Sequence, residues 1–216
     1  MAGETKQGKT QAAVTGGGSA LARYREVIVG RGGMLSLIYF EICAFLGIVP
    51  GALGLWLRKM FWPRLFRRCG RGTVFGANVL LRHPHRIDLG DRVVVSDGCV
   101  LDARNEEADC AISIGDDTIL GNAVTISCKT GSVRVGARGG LGTQTVVHAV
   151  GGCVAELGDD LIIGPACYIA AGGNYETGRL DLPMSQQGLR EDEGVRLAGD
   201  IWLGARVTVL PGAHMG

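Results

Sequence analysis

The sequence predicts an all-β fold, a left-handed parallel β-helix of hexapeptide repeats, preceded by an N-terminal helical segment that is first apolar and then basic. Two observations carry the β-helix: aliphatic residues recur every six positions through the second half of the chain, and 36 glycines stand against 6 prolines. Glycine is about one residue in six, far above the ordinary usage of about 7%. No strict every-third-residue glycine pattern appears, so a collagen-like fold is excluded. The third observation is a nearly uncharged stretch over residues 34–56, which points to the helical segment.

Residues 1–20 are small, polar and glycine-rich, too poor in apolar groups to offset the entropy of ordering, and are expected to be a disordered tail. Residues 21–72 form the helical segment. Between Met34 and Trp56 the only charge is Glu41, and Pro50-Gly51 interrupts the stretch near its middle. Proline followed by glycine breaks a helix, and each half is too short to cross a bilayer, so a re-entrant or interfacial helical hairpin fits better than a clean span. Arg58, Lys59, Arg64, Arg67, Arg68 and Arg71 follow without an acid, interleaved with Met60, Phe61, Trp62, Leu65 and Phe66. Bases beside aromatics suit an anionic bilayer surface. The alternative is a helix that caps the end of the β-helix and leaves its arginines solvated, and the two are compatible. A secretory signal is excluded by the late start of the apolar stretch and the lack of a small-residue cleavage site.

From about Val74 the six-residue period sets in, and residues 73–216 form the β-helix domain. The aliphatic positions run Leu89, Val95, Leu101; Ile114, Leu120, Ile126; Val135, Leu141, Val147; Leu157, Ile163, Ile169; Leu197, Leu203, Val209, Met215, usually with glycine next. Three hexads make a triangular coil, and stacking coils about 4.8 Å apart turns the inward aliphatics into continuous core ladders. The glycines are expected to turn the corners in conformations closed to residues with a Cβ. Cys99 and Cys167 follow inward aliphatics by four positions and are read as core. The last residues open a further hexad, so the natural protein is expected to run on.

Coil starts at 89, 114, 135, 157 and 197 are separated by 25, 21, 22 and 40 residues, against 18 for three plain hexads. Each excess follows the start of the third hexad, which places all the insertions at one corner. A scaffold decorated at a single corner is building a site there. The longest insertion, about 171–196, is expected to project toward a neighbouring subunit.

Composition narrows the function classes. A net charge of +1 argues against a nucleic-acid binder. Seven cysteines without CxxC spacing read as reduced thiols, not a disulfide scaffold or a zinc site.

These hexads resemble the hexapeptide-repeat acyltransferases, a group that includes sugar O-acetyltransferases and serine acetyltransferase. The resemblance covers about Val74–Gly216 and is closest over Gly199-Asp-Ile-Trp-Leu-Gly-Ala-Arg-Val-Thr-Val-Leu-Pro-Gly-Ala-His-Met-Gly216, which is similar to the family's CoA-binding coil. It implies a homotrimer with acyl-CoA in the groove between subunits, and a histidine that takes the proton of the acceptor. Trp202, Gly204 and Ala205 match the coil beside the pantetheine arm. Acetyl-CoA is the implied cosubstrate, with no metal.

In the sugar O-acetyltransferase branch the histidine follows the last hexad before the long loop, and here that position is Asn174. Thr145-Val-Val-His148-Ala resembles the context of the base in sialic-acid and bacillosamine-type acetyltransferases. His148 is therefore the candidate base, with Asn174 and Tyr175 orienting acceptor or thioester and Asp102 a candidate acceptor contact. The alternative for His148 is a corner histidine bonded to a backbone carbonyl. His83 and His85 are read as a solvated turn or a phosphate contact, and His214 as a surface residue.

The resemblance thus implies O- or N-acetylation of a sugar or lipid-linked glycan, and the apolar and basic residues 34–71 place it at a membrane surface, expected to be the inner face of the cytoplasmic membrane. A catalytically silent trimeric scaffold is the alternative. A carbonic-anhydrase-like metal site would need three histidines in a groove, and only His148 is suitably placed.

Overall fold

A computed structural model of the chain describes residues 19–216. The tail expected over 1–20 lies outside the described residues apart from its last two, which already begin a helix. Ser19 Oγ accepts the Ala22 N–H at 3.1 Å and caps α1 (Ala20–Tyr24). A π-helical turn, Arg25–Val29, continues it and ends at Gly30, whose φ of +71° is left-handed. A Cβ there would also meet the His83 ring at 2.5 Å, so glycine is required twice over at this position.

The apolar stretch forms α2 (Met34–Gly47) and α3 (Gly51–Phe61), broken at Pro50, followed by a 3-10 turn, Trp62–Leu65. The two helices double back on each other. Trp62 Nε1 donates to the Cys43 carbonyl at 2.9 Å, and the Tyr39 hydroxyl donates to the Phe61 carbonyl at 2.6 Å. The segment also caps the β domain, because Trp62 and Phe66 are buried against Phe75 of the first coil, with ring centroids 5.2 and 5.3 Å away. Arg58 is not part of a solvated basic face. It is 2% exposed, and its guanidinium donates to the carbonyls of Phe75, Leu46 and Val49 at 2.9, 3.2 and 2.8 Å, closing the end of α2.

The rest is a parallel β-solenoid of about seven turns with three faces. The first sheet has seven strands, from Arg68–Cys69 to His214–Met215; the second has six, from Val74–Phe75 to Trp202–Leu203; the third has six, from Leu80–Arg82 to Thr208–Val209. Every hexad aliphatic keeps its register: Leu101 pairs with Ile126, Ile126 with Val147, and Val147 with Ile169, all completely buried. The coils begin at Arg68, before Val74, because Cys69 and not an aliphatic residue takes the first inward position, paired with Leu89. The insertions do share one corner, between the third sheet and the first. They comprise the turn Pro84–Arg86, residues 103–111, 129–131 and 150–153, and the long excursion 172–194, which carries a short helix, α4 (Met184–Gln187).

The hexad glycines work differently from the expectation. Left-handed φ at the regular corners falls on residues such as Arg92, Asp117, Arg138, Asp160 and Arg206. The glycines before them are needed for close stacking: a Cβ on Gly164 would meet Ala205 N and the Gly204 carbonyl carbon at 2.7 Å in the next coil. Buried Thr118 and Thr145 donate to the carbonyls of Gly136 and Gly164 at 2.8 and 3.0 Å, which ties the coils where the chain turns.

Candidate active site

On the third sheet the residue after each inward aliphatic faces outward, beside the decorated corner. Strand register builds one vertical column from these positions: Arg82, Asp102, Ser127, His148 and Ala170. His148 lies on the strand Val146–Ala149, directly between Ser127 and Ala170. Its ring is half-buried and makes no hydrogen bond among the described residues, so the backbone-bonded corner histidine does not occur. Burial, then the nearby Lys129 ammonium, lower its pKa from the usual 6.5, against a smaller opposing pull from Asp102. A depressed pKa keeps the imidazole neutral at neutral pH and able to accept a proton.

Asp102 is 4% exposed and already occupied. Arg104 grips it with two bonds of 2.7 Å, and Arg82 approaches at 3.3 Å. Its two oxygens are thereby engaged by arginines of the same corner. Asn174 lies past Gly172 and Gly173, whose φ values of +81° and +105° swing the chain away from the sheet. Its backbone N–H and its side-chain amide both donate to Asp192, at 3.0 and 2.9 Å. Burial raises the Asp192 carboxyl, but the Asn174 bonds and Arg190 outweigh it and hold the group below the usual carboxylate range. Tyr175 is exposed and pairs with Leu189 in an antiparallel bridge that ties the excursion's two arms.

Trp202 lies on the second sheet, a different face from His148 within one subunit, and Gly204 and Ala205 form the corner that follows its strand. Trp202 is 77% exposed and stacks over exposed Ile162, giving an outward apolar surface at that end of the face. His214 pairs with Arg196 and lines an open depression of about 400 Å³ with Glu156, Asp192 and Cys153.

His83 is neither a solvated turn nor a phosphate contact. It is 3% exposed, its N–H donates to the Ile28 carbonyl at 3.0 Å, and its Nε2 lies 2.9 Å from the Glu26 carbonyl, pinning the N-terminal helices to the first coil. Lys129 and Ser127 are site neighbours that the sequence reading passed over. Ser127 shares the offset of His148 after its inward aliphatic, so a list of residues at that offset would have found it. Lys129 sits in an insertion, where the hexad period gives no register.

All seven cysteines are free thiols, with Cys99 and Cys167 in the core.

No protein-family model matches the chain, and no solved structure matches it. It is 31% identical over 136 residues to a protein of Mycobacterium tuberculosis named as a "Probable acetyltransferase". The matched stretch is 63% of this chain, but it spans only 43% of that protein's length. The parallel β-solenoid and this similarity are together consistent with a hexapeptide-repeat acetyltransferase.

Proposed function

We propose that this protein is an acetyltransferase that moves an acetyl group from acetyl-CoA to a hydroxyl or amine of a sugar or lipid-linked glycan. The observation that carries this reading is the His148 imidazole: neutral, half-buried, free of hydrogen bonds and set at the one decorated corner. The similarity to a protein named as an acetyltransferase supports it.

In this mechanism His148 takes the proton of the acceptor O–H or N–H as that atom attacks the thioester carbonyl carbon. The bond from carbonyl carbon to sulfur breaks, and the imidazolium returns the proton to the departing CoA thiolate. Backbone N–H groups at the groove stabilise the charge on the carbonyl oxygen. Acetyl-CoA supplies the activated acyl group. Its pantetheine arm fits the exposed surface at Trp202, where Gly204 and Ala205 add no bulk. Because that surface and His148 lie on different faces, a homotrimer completes the site by apposing Trp202 of one subunit to the corner of the next. Asn174 and Tyr175 then contribute through the excursion that carries them.

The membrane part of the reading rests on α2 and α3, which keep one apolar face buried and leave another exposed. It places the protein at the inner face of the cytoplasmic membrane, through residues 34–71. The test is acetyl-CoA-dependent acetylation of a panel of sugars and lipid-linked glycans, followed by mass spectrometry. The reading expects a product whose rate of formation falls about 100-fold or more in His148→Ala. Unchanged turnover in that variant would remove His148 as the base, and absence of any product would favour a silent scaffold.

A further inference from the structure

The helix α2 is apolar on two sides, and only one of them packs against protein. Leu37, Phe40 and Cys43 face inward. Leu35, Ile38, Ile42 and Phe45, at helical spacing on the other side, face outward, with Leu35 84% and Phe45 67% exposed. On α3, Leu53, Trp56 and Met60 are exposed in the same way. Surface helices of water-soluble proteins put polar residues on the outer face, and a contiguous apolar surface of this size marks something that covers it. Among the described residues no single helix is long and apolar enough to cross a membrane. One bent pair, Ala20–Val29 with Met34–Gly47 at 69°, passes together by length and composition, and the outward side of α2 is apolar enough to lie against a bilayer.

Charge identifies what meets that face. Between α2 and the first coil lies a cleft of about 510 Å³, with Leu35, Ile38 and Ile42 on its apolar wall and Arg31 and Arg64 as its cationic groups, beside a His85 ring that burial, then Arg31 and Arg86, keep neutral by lowering its pKa to about 4. No carboxylate lines it, and neither Arg31 nor Arg64 forms an ion pair among the described residues. The one acid of α2, Glu41, is taken by the Tyr24 hydroxyl at 2.6 Å. His85 Nδ1 is buried without a hydrogen-bond partner, facing the positive charge of Arg31 and Arg86. An apolar groove that ends in uncompensated positive charge is complementary to an anionic amphiphile.

We propose that this cleft binds an anionic phospholipid, with the phosphate at Arg31 and Arg64 and an acyl chain along Leu35, Ile38 and Ile42. The inference rests on the membrane part of the proposed function and sharpens it from general surface contact to a headgroup site. Such a site stands the solenoid on the bilayer by its N-terminal end, with the decorated corner rising from the headgroups.

The test is sedimentation of the whole chain with two kinds of vesicle, one of phosphatidylcholine alone and one with about one-third phosphatidylglycerol. Wild type should prefer the anionic vesicles. Arg31→Gln with Arg64→Gln should weaken binding to them about 30-fold, at about 1 kcal/mol for each basic residue near an anionic surface. Arg68→Gln with Arg71→Gln removes the same charge outside the cleft and should cost less than about threefold. Leu35→Asn with Phe45→Asn, at exposed positions where folding is not at risk, should weaken binding to both vesicle types. Equal losses from the two arginine pairs would show diffuse charge and overturn the site. An Arg31/Arg64 variant that binds like wild type would overturn the site while leaving membrane contact intact. Wild type that binds neither vesicle would overturn the membrane reading itself.

Discussion

Arg82 and His148 stand in one column of the third sheet, three coils apart, with Asp102 and Ser127 between them. At about 4.8 Å per coil that separation is about 14 Å. Arg82 ends its strand just before His83, which pins the helical segment, so the same corner carries the apolar helices at its foot and the unbonded imidazole above them. On the proposed reading, an acceptor anchored in a lipid surface would have a short path to His148.

The electrostatics of His148 predict a pH profile. Its pKa is lowered by burial first and by Lys129 second, so the folded group loses its proton below the usual 6.5. Activity should therefore rise with pH along a limb whose midpoint lies below 6.5 and stay flat through neutrality. In Lys129→Met the ammonium that disfavours the imidazolium is gone, and the midpoint should move up. The check is kcat against pH for the two proteins, and an unmoved limb would mean that another group titrates.

Arg58 is a test of the helical cap. Its guanidinium satisfies three carbonyls in a nearly dry position. Arg58→Met keeps much of the bulk and leaves those oxygens unpaired, which should lower stability by about 3 kcal/mol. Chemical denaturation followed by Trp62 fluorescence reads the loss, because that indole is buried beside the same coil.

The glycine rule of this solenoid is testable by a matched pair. Gly164→Ala drives a Cβ into the next coil's backbone and should destabilise by about 1–3 kcal/mol. Gly140→Ala lies in a strand of the second sheet, where a Cβ would meet nothing within 4 Å, and should change stability by no more than about 0.5 kcal/mol. Thermal unfolding of the two variants separates stacking from corner conformation as the reason for glycine.

The hexads were legible because a solenoid repeats one local solution, and each inward position from Leu89 to Met215 shows as an aliphatic residue. Cys69 escaped because it fills the same position with a different residue type. The glycines were located but their reason was not, since the clash that excludes a side chain at Gly164 comes from another coil. Arg58 and His83 were misread for a related reason. Each looks like a surface group beside its chain neighbours and is buried only by partners far along the sequence, the carbonyls of Phe75 and Glu26 among them. His148 was singled out in Thr145-Val-Val-His148-Ala, and its place in the column beside the decorated corner follows from the third-sheet register. Lys129 and the grip of Arg104 on Asp102 were not legible, because both lysine and arginine come from insertions outside the period.

The most direct test of the central claim is calorimetric titration of the chain with acetyl-CoA. The account predicts binding in the micromolar range, with Trp202→Ala weakening it and His148→Ala leaving it nearly unchanged. No heat of binding to the folded, fully assembled protein would contradict the acetyltransferase reading and leave the solenoid as a scaffold.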